Sequence, residues 1–120
     1  MKTAVLVFSD PKTGSEESLG RLYNALATVY EYKSAGEEVS LYFQGTGTRW
    51  PEQLQKTDHP AHQLFKAIED KVAGISCGCA DVFGANASGF DLIKDNQVPG
   101  TTGLPSLVQM QKEGFNILSF

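Results

Sequence analysis

The sequence predicts an α/β protein with an open, mostly parallel sheet of four to five strands and helices on both faces. Three observations predict it. Val5-Leu6-Val7-Phe8 is a continuous apolar run, as in a strand buried on both faces. Leu19, Leu22, Tyr23, Leu26, Val29 and Tyr30 recur at three- and four-residue spacing, which places them on one stripe of a helix of about five turns. Glu38 to Phe43 then alternates loosely, and strand, helix and strand in this order form a right-handed parallel βαβ unit.

The remaining elements follow along the chain. Ser-Asp-Pro closes the first strand, which is taken as central, and Ser15 before Glu16 and Glu17 supplies an N-cap with carboxylates suited to the helix dipole. Gly36 ends that helix. Gly45 to Pro51 reads as a loop. A second helix is expected from Pro60, capped by His59, with Leu64, Phe65 and Ile68 facing the core. Val72 to Ser76 fits a third strand ending at Cys77, with a short helix from Ala80 to Ala87. Leu92-Ile93 or Val98 is expected to supply an edge strand within the poorly patterned stretch 91–103. Pro105 to Lys112 reads as a last helix packing through Leu107, Val108 and Met110, and Phe115 to Phe120 as a final strand.

Composition narrows the function. A chain of 120 residues with 41% hydrophobic and 20% charged residues suits one compact domain over residues 1–120, large enough to fold without a metal or disulfide. The net charge of -4 and the scattering of the ten basic residues argue against a nucleic-acid partner. No stretch reaches the roughly 18 apolar residues of a membrane span, and the apolar run before Asp10 is too short for a signal-peptide core. A cytoplasmic protein is expected, in which two cysteines one residue apart are more often reactive or metal-binding than a structural bridge.

In an open α/β sheet ligands bind beyond the carboxyl ends of the strands, where the loops Ser9 to Ser15, Gln44 to Pro51 and Cys77 to Asp81 converge. The third holds the strongest nucleophiles, Cys77 and Cys79. A cysteine at a helix start meets unpaired N–H groups and the positive end of the dipole, both of which favour thiolate, and Cys79 is placed nearest that position. Two small buried hydrophobes are the bland alternative. A Cys77–Cys79 disulfide would close a strained, easily reduced ring, suited to a transient redox state.

Other readings stand beside this one. Cys77, Cys79, His59 and His62 form a zinc-compatible set at untypical spacing, and no metal is expected. Gly45-x-Gly47 lacks the third glycine of a dinucleotide fingerprint and runs into Trp50-Pro51 instead of a helix. The first loop, with Ser9, suits a capped turn or a small anion. Arg49 and Trp50 suit a flat or anionic ligand, a neighbouring subunit, or packing within the domain. Asp81 is placed to orient a thiol proton or to bond the first turn of its helix.

The run Ile75-Ser76-Cys77-Gly78-Cys79-Ala80-Asp81-Val82-Phe83-Gly84, with the Val5 to Ser9 strand, the long first helix, the Val39 to Gly47 strand and loop, and the closing Gly114 to Phe120, resembles the DsrE/DsrF-like family of small sulfur-relay proteins. The resemblance covers nearly the whole chain. It implies a flavodoxin-like fold, a homo-oligomer (trimer or hexamer), no cofactor, protein donors and acceptors of sulfur, and a persulfide on a cysteine after the third strand, where Cys77 and Cys79 fall. Phe83 stands where relatives often carry arginine, and the cysteines lie closer together than in a Cys-Gly-x-Cys relative. Beside the sulfur carrier stand a non-catalytic ligand-binding or assembly module of the same fold and a thiol redox switch.

Overall fold

The computed structural model describes residues 1–94, 96 and 98–120; Asp95 and Gln97, inside the poorly patterned stretch, lie outside the described residues. Five strands form one all-parallel sheet in the order β4-β3-β2-β1-β5, a flavodoxin-like α/β fold. β1 (Lys2–Val7) is interior, with Val5 opposite both Leu41 and Leu118. Its Ala4, Val5 and Val7 are fully buried, as a strand covered on both faces requires. The strand stops one residue short of the prediction: Phe8 still donates its N–H to the Phe120 carbonyl, but its ring turns outward as the chain enters a 3-10 turn at Pro11–Thr13.

α1 (Glu16–Ser34) begins where Ser15 Oγ accepts the Ser18 N–H. It ends in a Schellman motif, with Glu37 N–H on the Tyr32 carbonyl and Gly36 N–H on that of Lys33. Leu22, Ala25, Leu26 and Val29 are fully buried, each hydrophobe larger than alanine contributing about 1.5–3 kcal/mol of transfer free energy. Tyr30, predicted on the stripe, is exposed: at 100° per residue it stands about 80° round the helix from Leu22.

After β2 (Glu38–Phe43) the expected loop is a 3-10 turn, Gly45–Arg49, that runs into α2 (Trp50–Leu54), correcting the reading that no helix follows. Pro51 stands in the first turn, where its missing N–H costs nothing. α3 (His62–Ile68) starts two residues later than predicted; His59 Nδ1 accepts the Ala61 N–H in the turn before it. Phe65 and Ile68 are fully buried and Leu64 partly so. β3 (Val72–Ser76) matches its prediction, but α4 (Cys77–Val82) begins three residues before the expected Ala80 and ends at Val82 rather than Ala87.

β4 (Leu92–Ile93) pairs with Ile75 and Ser76; Val98 lies outside any strand. α5 (Leu107–Lys112) starts after Ser106, whose Oγ accepts the Gln109 N–H, and only Met110 of its three predicted core residues is buried. β5 (Phe115–Ser119) stops before Phe120, whose N–H reaches the Leu6 carbonyl. α1, α2, α3 and α4 share the larger core with Val5, Val7, Leu41 and Phe43, while α5 covers the opposite face through Met110 over Ala4 and Leu6. Among the described residues no helix is long and apolar enough to cross a membrane.

Candidate functional site

All strands being parallel, the loops after β1, β2 and β3 meet at one end of the sheet, and a single side chain ties them. Arg49 Nη1 donates to Asp10 Oδ2 at 2.8 Å, its Nε donates to the Phe83 carbonyl at 3.1 Å, and its guanidinium carbon lies 5.5 Å from the centre of the Phe83 ring. Only 18% of the Arg49 side chain and 20% of that of Asp10 is exposed, so the pair is shielded from water. Burial raises the Asp10 carboxyl, but the Lys12 N–H and the Arg49 guanidinium outweigh it and hold the group below its ordinary value.

A depressed carboxyl contributes stability above the ordinary aspartate range and loses it as pH falls through the depressed value. Arg49→Met keeps much of the stem while removing the charge. It is expected to cost about 2 kcal/mol in urea unfolding at neutral pH, and the difference from wild type should shrink as pH falls below the ordinary aspartate value of 3.8. A constant difference across that range would refute the assignment.

Trp50 is 3% exposed; its Nε1–H donates to the Ser9 carbonyl at 2.8 Å and approaches Ser9 Oγ at 3.2 Å, and its ring meets His59 edge to face. The residues predicted as ligand contacts, Ser9, Arg49 and Trp50, therefore bond to one another's loops. Two clefts open beside them. One, of about 400 Å³, is lined by Lys12, Ser15, Ser18, Arg49, Gln53 and His59, and the other, of about 250 Å³, by Ser9, Asp10, Thr13, Ser18 and Arg21. Neither is lined by Cys77 or Cys79. Gly47 lies so close to β1 that a Cβ on it would stand 2.2 Å from the Val7 carbonyl oxygen, which gives this glycine a packing reason in place of a phosphate.

The cysteines occupy the first turn of α4. Ser76 caps it, its Oγ accepting the Cys79 N–H at 3.4 Å, so Cys77 is the first helical residue and Cys79 the third. Both are free and partly exposed. Residues two apart on a helix do not face each other, so a Cys77–Cys79 disulfide requires this turn to unwind. Asp81 falls in the last turn of α4 rather than the first, exposed, with its carbonyl accepting the Gly84 N–H.

A fourth segment, unmarked in the sequence except by its glycines and prolines, closes over Cys77. The Gly78 N–H donates to the Thr102 carbonyl at 3.1 Å, and the Gly103 N–H to Asn96 Oδ1 at 2.9 Å. Gly103 has φ +70, and a Cβ there would lie 2.0 Å from the Ile93 carbonyl oxygen and 2.9 Å from Cys77 Sγ. Only glycine fits this approach.

The histidines stand apart from this turn. His59 Nδ1 accepts from Ala61, and His62 Nδ1 donates to the Leu54 carbonyl at 2.7 Å. Burial lowers His59 below its ordinary value, Asp58 opposing and Lys56 and His62 adding to the shift. Among the described residues no group of three or more His, Cys, Asp or Glu stands together as a metal site.

No curated protein and no solved structure matches the chain. The DsrE/DsrF-like family model matches residues 1–120. With that match over its full length and the five-stranded parallel sheet beneath it, the chain belongs to the DsrE/DsrF-like family.

Proposed function

We propose that the protein is a cytoplasmic sulfur-relay carrier, holding sulfane sulfur as a persulfide on Cys79 with Cys77 as its neighbouring thiol. The reading is carried by the position of the pair in a family member: two free, partly exposed thiols in the first turn after β3, at the carboxyl edge of the sheet. Cys79 is preferred because Cys77 Sγ lies against Gly103, so a second sulfur on Cys77 would have to displace that segment.

The step needs no cofactor. The Cys79 thiolate attacks the outer sulfur of a donor persulfide; a new S–S bond forms at Cys79 as the donor's S–S bond breaks, and the donor leaves as a thiolate that takes up a proton. An acceptor thiolate then repeats the attack on the terminal sulfur, releasing Cys79 as thiolate. Sulfur moves at constant oxidation state. Attack by Cys77 on the inner sulfur would instead expel hydrosulfide and form the disulfide, which the helical spacing of the pair opposes. Donor and acceptor proteins are the partners, and a trimer or hexamer is the assembly in which this family would work.

Incubation of the wild-type protein with a low-molecular-weight persulfide, followed by intact mass measurement, is expected to show one added sulfur per chain, removed by a reducing thiol. An unchanged mass would overturn the proposal.

A further inference from the structure

We infer that the cleft between α5 and the stretch 98–105 is a binding site for a small amphipathic organic anion that carries a hydroxyl or amide group. The cleft measures about 900 Å³, within the roughly 300–1,000 Å³ of small-molecule sites. Val98, Leu104, Leu107 and Val108 give it an apolar wall, and three of these, Val98, Leu107 and Val108, are largely exposed on the free chain.

One polar group in its lining is out of balance. Gln44 follows β2 directly, with its N–H on the Val7 carbonyl at 3.0 Å and its own carbonyl accepting the Gly47 N–H at 2.9 Å, so its backbone is fixed on both sides. The residue is 7% exposed, lines the cleft, and has a buried Oε1 without a hydrogen-bond partner among the described residues. A buried amide oxygen left unpaired is costly, and rotation of the Gln44 side chain would let a donor in the cleft offset that cost on binding. Lys112, at the end of α5, supplies a positive charge in the same lining. An apolar body, one hydroxyl or N–H for Gln44 and an acidic group for Lys112 together define the ligand class. The inference is independent of the cysteines, since neither Cys77 nor Cys79 lines the cleft.

Anilinonaphthalene sulfonate has an apolar ring system, one N–H and one anionic group, and serves as the probe. Fluorescence titration of the full chain is expected to saturate at one site, with N-octanoylglycine competing. Gln44→Leu preserves volume and should weaken probe binding roughly tenfold, the loss of about one hydrogen bond, without lowering the melting temperature. Lys112→Glu should weaken it by roughly fivefold, in a manner that salt reduces. Equal affinity in wild type and both variants would overturn the inference. So would a wild-type chain that binds no probe until Val108→Asp breaks it into smaller assemblies, because the cleft would then be covered by a second copy.

Discussion

Cys79→Ser is expected to eliminate the sulfur added by a persulfide donor, while Cys77→Ser retains it. The expectation follows from where each sulfur lies within one helical turn. Cys77 is the first residue of α4, and its Sγ meets the backbone of Gly103. Cys79 is two residues on, pointing to a different side of the helix, with its N–H held by Ser76. Serine is close in size and keeps the turn intact, so both variants should melt within about 1 kcal/mol of wild type, as partly exposed substitutions do. Intact mass after loading separates the outcomes: added sulfur on Cys79→Ser but not on Cys77→Ser would reverse the assignment.

Gly103→Ala should be among the most damaging single-methyl additions in the chain. A left-handed φ of +70 already disfavours alanine, and the new carbon would stand 2.0 Å from the Ile93 carbonyl oxygen, a backbone atom of β4 that cannot rotate away. Strain and overlap together are expected to cost about 3 kcal/mol. Gly100→Ala is the control: its φ of +76 carries similar strain, but its Cβ would meet nothing within 4 Å, so about 1 kcal/mol is expected. Because relief requires the segment to lift from Cys77, alkylation of Cys77 should also accelerate in Gly103→Ala. Equal melting temperatures for the two alanine variants would remove the close approach from the account.

Much of this architecture is legible in the chain. The run at Val5 declares an interior parallel strand because both faces of such a strand need apolar side chains, while the looser alternation of Glu38 to Phe43 and the mixed run from Phe115 mark β2 and the partly exposed edge strand β5. The errors lie where one residue type serves two purposes. Pro51 reads as a breaker, yet it opens α2, since a first-turn residue needs no N–H. Gly78 weakens the helical pattern at Cys77, yet glycine is what lets Thr102 approach, and Ser76 as cap is the overlooked signal for an earlier start. Leu107 and Val108 look like core by composition, but α5 is six residues long and turns only Met110 inward. For the site, convergence of three loops follows from strand direction alone. The Asp10–Arg49–Phe83 tie and the cover over Cys77 join residues far apart in sequence whose types carry no spacing signal.

The place of β5 beside β1 has a kinetic side. β1, β2 and β3 are joined by neighbouring helices, so each pairing closes a short loop, whereas Lys2 opposite Phe115 closes nearly the whole chain. Loop closure of that length adds entropy to the barrier, which places β5 docking after the β1-β2-β3 block has formed. The same order in reverse makes β5 the first strand to peel away. Native-state amide exchange should therefore show Ile117 and Leu118 opening at lower free energy than Leu41 and Phe43, and equal protection would mean that the sheet opens as one unit. The cysteine turn is anchored at the end of β3, within the part that assembles first and lets go last.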